Sequence, residues 1–385
     1  MYDVAVLGLG AMGAATLYQL AKRGINAIGI DQFNPPHTNG STHGETRLTR
    51  CAIGEGHQYV PFAIRSHEIW KELGNETGEQ LLFETGALMI ESALGGGSVH
   101  GSANFLDTTI STAKQFNIAH EVLSGLQARQ RFPSFATNDQ DKAYYEPGAG
   151  YLKVEECVSA QLNRAVELGA DLLIDTKVHS ISHANEHVEL ATSGNPIHAK
   201  KLVVCAGPWV KELLGAPYDT KLTTTRQVLH WYPIAQNAMH EWKDHPVFIW
   251  IHGEGEGYYG LPSLDDPTLI KVANANYGEP SAPDAVNRDV DPKEQTEMFD
   301  VHLKGRLMGI KPQAHKSVTC IYTVTPDSDF ILDWHMDHKN TFVVSACSGH
   351  GFKHSAAIGE AVAQQLIDGT STIDISAFNM TRFKD

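Results

Sequence analysis

The sequence predicts an α/β chain of two domains, one organised on a parallel sheet and one on a large antiparallel sheet. Three observations carry this. At 385 residues the chain exceeds the roughly 250–300 at which a single core stops growing. Its first 31 residues read as strand, glycine turn, helix and strand. Residues 217–320 contain apolar stretches with the alternation of an antiparallel sheet covered on one face.

The opening unit is the most informative stretch. An apolar run, Val4 to Leu7, leads into Gly8-Leu9-Gly10-Ala11-Met12-Gly13, a helical segment to Arg23, Gly24 as a stop, and a second apolar run closing on Asp31. Gly8 permits the tight turn, Gly10 lets backbone approach a pyrophosphate, and Gly13 lets the helix pack close on the sheet. The helix N-terminus offers N–H groups and a positive dipole end to phosphate. Asp31 follows at the roughly 20-residue distance where a carboxylate accepts the hydroxyls of an adenosine ribose. A dinucleotide site is expected, and the motif alone does not choose between NAD and FAD.

Composition narrows the partners. Thirty Lys and Arg against 45 Asp and Glu give a net charge of −15, which disfavours nucleic acid and anionic membrane. A small anionic substrate would need a local basic pocket. Five cysteines without a CxxC pair argue against a disulfide framework and for a reducing compartment. Asp3 stands where a signal peptide would be basic, and no apolar run reaches the roughly 18 residues of a span, so a cytoplasmic location is expected. The sequons at Asn75 and Asn379 are accidental in that setting.

Further along, residues 33–50 hold Pro35-Pro36 and Asn39-Gly40, which predicts a long loop without a regular element. Long loops of this kind are uncommon unless functional, and this one is rich in ligand-binding side chains. Val60 to Leu73 reads as a helix burying Phe62, Ile64, Ile69, Trp70 and Leu73. Leu82 to Ile90 reads as a strand and Phe105 to Phe116 as a helix, with Gly95-Gly96-Gly97 between them as loop rather than phosphate cradle. A turn at Tyr144–Gly148 suggests a domain crossing. Val154 to Leu168 is a helix with Val158, Leu162, Ala165 and Val166 on its apolar side and Gly169 as C-cap. Leu172–Ile174, Val178–Ile181 and Leu202–Cys205 are short strands of the first domain. Val247–Ile251, Tyr258–Leu261 and Leu269–Ala273 are strands of the second, and Asp284–Asp300 is solvated. Phe330–Asp333, Thr341–Ser345, the turn Gly349-His350-Gly351 and a helix to Ile367 return to the first domain. His335 and His338 lack a third ligand at metal spacing, so no metal is expected.

Ser41–Arg50 (STHGETRLTR), Gly54-Glu55-Gly56, Cys320–Thr323 and Ser348-Gly349-His350-Gly351-Phe352-Lys353 together resemble the monomeric sarcosine oxidase and N-methyltryptophan oxidase family, along essentially the whole chain. The resemblance implies a Rossmann-like FAD-binding domain (1–80, 148–216, 321–385) and an α+β substrate domain with a large antiparallel sheet (81–147, 217–320). It implies a monomer that oxidises N-methyl or other secondary amino acids, with O2 reduced to H2O2. FAD would be tethered by a thioether at Cys320, whereas Cys157, Cys205 and Cys347 read as buried small hydrophobes.

The resemblance also distributes roles. Arg50 and Lys353 match the pair that clamps the substrate carboxylate, a task suited to paired cations in a desolvated pocket. Lys271, in an otherwise apolar strand, matches the lysine that promotes O2 reduction, since a fixed cation stabilises developing superoxide charge. His43 and Arg47 match positions beside the flavin ring, and Tyr258 and Tyr322 aromatics of the substrate pocket. Expected cofactor contacts are Gly8, Gly10, Ala11, Met12, Gly13, Asp31 and Gln32; Ser41, Thr42, His43 and Arg47; Val178, Gly207 and Trp209; and Cys320, Gly349, His350, Gly351 and Lys353. The chain departs from the family pattern at Thr42, Cys51, Ala275 and around Ile249-Trp250, near the pocket, which leaves the substrate side chain open. The other readings are a flavin dehydrogenase using a different acceptor and a non-catalytic dinucleotide-binding protein. Four residues argue against the second, because a sensor needs neither a clamp nor a tether: Arg50, Lys271, Cys320 and Lys353.

Overall fold

The computed structural model describes residues 1–93, 101–184, 186–253, 255–278 and 280–383, so the Gly95-Gly96-Gly97 stretch lies outside the described residues. Tyr2–Leu7, Ala11–Lys22 and Ala27–Ile30 form the expected strand, helix and strand. Tyr2–Leu7 is central in an eight-stranded sheet, parallel to Ala27–Ile30 on one side and Ile197–Val204 on the other. The long strand Ile197–Val204 changes partner midway: its first half pairs antiparallel with Val188–Thr192, its second half parallel with Thr341–Ser345. The chain's last third is thereby stitched to its first strand.

Packing explains the glycine spacing of the first helix. A Cβ on Gly13 would lie 1.7 Å from the Gly8 carbonyl oxygen, so only glycine lets the helix sit this close to the turn. On its other faces the helix packs against Ser355–Asp368 and Val154–Glu167, forming one core with the sheet.

The second eight-stranded sheet runs in the order Lys316–Val324, Thr223–Pro233, Leu269–Asn274, Glu256–Pro262, Val247–Gly253, Ala87–Glu91, Lys142–Glu146, Glu121–Ser124. It is antiparallel except where Val247–Gly253 meets Ala87–Glu91. Its two faces differ. Trp231, Ala273 and Cys320 turn to the side of the first sheet, whereas Tyr258, Trp250, Ile270 and Tyr232 turn to a core closed by Met298 and Leu303. Lys316–Val324 runs through position 320, where the sequence places the return to the first domain.

Several local expectations are corrected. The 33–50 segment ends in a regular strand, Thr46–Thr49, paired with Gly150–Lys153 in a small third sheet. Leu82–Ile90 is broken at Gly86 (φ 81°) into Leu82–Phe83 and Ala87–Glu91, which join different sheets. Tyr144 to Glu146 lie in a strand, and the turn follows them. Val166 is exposed because it falls past the buried stripe of its helix. Cys347 is half-buried, unlike Cys157 and Cys205, because its turn opens on the cleft.

Candidate active site

A cavity of about 440 Å³ runs between the two large sheets, from the glycine turn to the substrate-domain strands. At its first end Gly8 adopts φ 91°, and Gly10, which has no side chain to cap the helix, places the helix N-terminus at the cavity wall. Gly10, Ala11 and Met12 line the wall; Gly13 lies behind it. Asp31 accepts the Leu9 N–H at 2.7 Å and the Phe33 N–H at 2.9 Å. It therefore pins the glycine turn as well as facing the cavity, and a carboxylate retains lone pairs for further donors. Gln32, Val178 and Gly207 complete this end with Trp209, whose Nε1 donates to Asp284 Oδ1 at 2.7 Å.

The loop between the two ends is tied down by charge. Thr42 Oγ1 accepts the Ala11 N–H at 3.3 Å, joining loop to helix. Arg47 donates to Thr46 O and Ser41 O, both at 2.9 Å. Lys271 is fully buried, with Nζ donating to Gly44 O at 2.6 Å, Thr46 O at 2.7 Å and Thr46 Oγ1 at 3.3 Å. Burial, and then the Arg47 guanidinium, push its ammonium well below the usual lysine range. Glu155 Oε1 accepts the Gly44 N–H at 2.7 Å from the other side of the loop. His43 is buried behind the loop rather than in the cavity wall, and its Nε2 has no partner among the described residues. Burial and the Arg47 and Lys271 charges drive its pKa down to about 3, so it is a neutral imidazole at physiological pH. Cys320 is also one layer back, with Sγ 3.6 Å from Ser41 O and 3.9 Å from Arg47 Nη2, two residues of the wall. Burial raises its thiol, and Arg47 opposes that rise.

At the far end two buried cations converge. Arg50 Nη2 lies 2.8 Å from Glu55 Oε2, and Lys353 Nζ lies 3.4 Å from Glu55 Oε1. Arg50 also donates to Ala52 O and places its guanidinium 5.0 Å from the Phe105 ring. The Gly349-His350-Gly351 turn aims Lys353 inward: its Nζ donates to His350 O at 2.8 Å, and His350 Nε2 sits 3.0 Å from Ser328 O. Burial lowers Lys353 to about 8, opposed by Glu55. Both cations here meet one of the protein's own carboxylates, that of Glu55.

Two aromatics need comment. Tyr322 lines the cavity. Tyr258 touches the wall, but its ring stacks on Trp250 (centroids 6.3 Å) in the core on the opposite face of the sheet, and its hydroxyl is buried without a partner among the described residues. The neighbouring Tyr259 faces the cavity instead, with its hydroxyl 3.4 Å from that of Tyr322. Successive strand residues point to opposite faces, so a shift of one position exchanges the two sides. Glu55 and Tyr259 were not among the expected site residues. Glu55 was legible as the acid in Gly54-Glu55-Gly56; Tyr259 was not, because its side depends on register. Ala275 and Ile249 line the same end, and no group of His, Cys, Asp or Glu among the described residues is placed to hold a metal.

These residues fit a flavin dinucleotide. The cavity size is within the about 300–1,000 Å³ typical of ligand sites. One end offers a helix N-terminus and a carboxylate, as a pyrophosphate and ribose require. The middle offers the Arg47 cation and an apolar wall that includes Val344.

The chain matches the model of the FAD dependent oxidoreductase family over residues 3–365. It is 34% identical over 384 residues to monomeric sarcosine oxidase of Bacillus sp. (strain B-0618), covering 99% of this chain and 96% of that one. It is 34% identical over 385 residues to N-methyl-L-tryptophan oxidase of Yersinia pestis (strain Pestoides F), covering 100% of both. Among solved structures it is similar to NikD, an unusual amino acid oxidase essential for nikkomycin biosynthesis (TM-score 0.83, 20% identity, 98% and 97% covered). It is also similar to glycine oxidase from Geobacillus kaustophilus (TM-score 0.77, 20% identity, 100% and 99% covered).

Proposed function

The chain belongs to the FAD dependent oxidoreductase family, and from that premise we propose that it oxidises N-methyl or other secondary amino acids to an imine, with O2 reduced to H2O2. One observation carries the substrate class: Arg50 and Lys353, both buried, converge on a single carboxylate beside a cavity that begins at the glycine turn. A buried cation pair is costly unless it has an anionic partner. An amino acid supplies one.

The division of labour follows from the residues. Gly8, Gly10 and Met12, with the helix N-terminus behind them, would hold the pyrophosphate, and Asp31 the adenosine ribose. When bound, FAD would supply the two-electron redox chemistry that links substrate oxidation to reduction of O2. Arg50 and Lys353 orient the substrate by its carboxylate, exchanging Glu55 for it. Arg47 and Arg50 surround the cavity with positive charge, and a local cationic field favours the neutral amine, the form whose lone pair assists C–H cleavage. Lys271 fixes the Gly44–Thr46 loop and adds positive field where O2 gains charge. The imine leaves and hydrolyses in water to amine and aldehyde.

We assign the flavin tether to Cys320, a thioether position supported by its approach to Ser41 and Arg47. We assign FAD binding to residues 1–80, 148–216 and 321–385 and substrate binding to 81–147 and 217–320. A monomer in the cytoplasm accords with five free cysteines, and no helix among the described residues is long and apolar enough to cross a membrane. The test is direct. Acid-precipitated protein is expected to give a yellow pellet, and N-methyl amino acids to release peroxide. A colourless pellet would remove the tether; absence of any amino-acid-dependent electron transfer, to O2 or to a dye, would remove the activity.

A further inference from the structure

Glu146 ends the strand Lys142–Glu146 in the substrate-domain sheet and is 1% exposed. Nothing in the chemistry above uses it. Its carboxylate nevertheless accepts three hydrogen bonds: Oε1 from the Cys51 N–H at 2.7 Å, and Oε2 from the Ala52 N–H at 3.2 Å and the Tyr144 hydroxyl at 2.8 Å. The two backbone donors immediately follow Arg50. Ala52 also receives the Arg50 guanidinium on its carbonyl oxygen, so the residue that steadies the side chain is itself held by Glu146. Burial pushes the Glu146 carboxyl up, against the pull of these donors.

A buried carboxylate is an expensive way to tie a loop, since a neutral acceptor would avoid the desolvation cost. Its advantage is that one rigid group with two acceptor oxygens fixes two consecutive peptide N–H groups in register. Arg50 gains by this. Thr46–Thr49 is paired with Gly150–Lys153 in the small third sheet, and past Arg50 the backbone must turn to bring Glu55 back to the guanidinium. The strand bearing Glu146 belongs to the other large sheet, so the bond sets the guanidinium relative to the cavity's opposite wall.

We infer that Glu146 is a positioning residue for substrate: it holds the Cys51–Ala52 backbone so that Arg50 meets the substrate carboxylate at a fixed place. The inference rests on the carboxylate-clamp reading above. In Glu146→Gln the amide carries one acceptor oxygen, and its NH2 faces one of the two backbone donors, so one N–H loses its partner while volume is kept.

The holoenzyme test compares wild type, Glu146→Gln, Arg50→Ala and the double variant. Glu146→Gln is expected to raise KM about tenfold and to weaken acetate, used as a carboxylate probe without an amine, by a similar factor, with kcat changed less than about threefold. On the Arg50→Ala background the same substitution is expected to have no further effect on KM, because residues acting through one another are not additive. Glu146→Asp withdraws the carboxylate by one bond while keeping its charge, and is read the same way should the glutamine variant not fold. Tyr144→Phe removes only the third bond and is expected to leave KM within about twofold. A KM unchanged in both Glu146 variants, or an equal rise on both backgrounds, would overturn the inference alone. An Arg50→Ala enzyme with wild-type KM and acetate affinity would overturn the clamp reading and this inference with it.

Discussion

The two ends of the cavity are built of different material. The glycine turn presents backbone: positive-φ Gly8, the helix N-terminus at Gly10, and one carboxylate that also bonds to the turn. The far end presents side chains, Arg50 and Lys353, which come from positions about three hundred residues apart and share Glu55. A backbone site is specified by a dozen neighbouring residues and changes little with pH. A site of buried charges is specified by tertiary structure, and each group depends on the others for its charge state.

The largest expected effect falls at the charged end. Arg50→Ala leaves Glu55 with a more distant cation and removes one arm of the clamp. Truncating one partner of a buried charge pair costs about 3–4 kcal/mol, so KM should rise roughly 10²- to 10³-fold. Steady-state kinetics check it, and a rise below tenfold would mean that Lys353 carries the carboxylate unaided. The backbone end should fail differently. Gly13→Ala places a methyl 1.7 Å from the Gly8 carbonyl, which no side-chain rotation relieves. Overpacking of this kind costs roughly 3 kcal/mol, expected as a lower melting temperature and loss of bound flavin with KM unchanged in what remains. Gly10→Ala, whose nearest contact is the Thr42 hydroxyl at 3.3 Å, should cost less stability.

This contrast also explains what could be read from the chain before its fold was known. Gly8, Gly10, Gly13 and Asp31 announce themselves because the geometry they serve is local. Helices were visible by the same logic, from the 3.6-residue spacing of Phe62, Ile69, Trp70 and Leu73. Arg50, Lys353 and Lys271 were legible only through resemblance, since no spacing links residue 50 to residue 353. Glu146 escaped because a lone acid in a sequence is usually solvated, whereas Glu55 stood in the visible Gly54-Glu55-Gly56 motif without a role attached. The strand Thr46–Thr49 escaped because its partner, Gly150–Lys153, is a hundred residues away and sequence shows only the polar loop before it.

Lys353 gives an intermediate effect and a sign that the backbone end cannot show. With its pKa lowered to about 8 by burial, the ammonium is present below pH 8 and lost above it. Affinity for acetate should be flat from pH 6 to 7.5 and then fall as pH rises through about 8, approaching a roughly tenfold loss as one of two cations disappears. The same shift acts on stability. The unfolded chain, where lysine titrates near its ordinary value, holds more protons than the folded one between about 8 and that value, so this group's contribution to stability rises with pH across that window. Lys353→Met should abolish the pH step in acetate binding while leaving weak binding by Arg50. A step that persists in Lys353→Met would move the titration to another group.

The smallest effect tests the register of the sheet. Tyr258 and Tyr259 are adjacent, yet one hydroxyl is buried in the substrate-domain core without a partner among the described residues and the other meets Tyr322 at the cavity. Removing an unsatisfied buried hydroxyl recovers part of its desolvation cost and leaves only a small void. Tyr258→Phe should therefore change stability by between zero and about +1 kcal/mol, measured by denaturant unfolding, with KM and kcat unmoved. Tyr259→Phe should do the reverse, leaving stability nearly untouched while shifting KM by about two- to fivefold through loss of the Tyr322 contact. If Tyr258→Phe alters KM and Tyr259→Phe does not, the strand Glu256–Pro262 presents its other face to the cavity. That outcome is constrained from elsewhere. Lys271 pairs with Leu261, so reversing the strand while its neighbour stays fixed would break the Tyr259 to Ala273 pairing as well. A one-residue slip would have to propagate through Leu269–Asn274 and carry Lys271 out of reach of Gly44 and Thr46. The two tyrosines thus report on the lysine, and the pair of substitutions tests, at small cost in stability, whether that buried cation faces the loop.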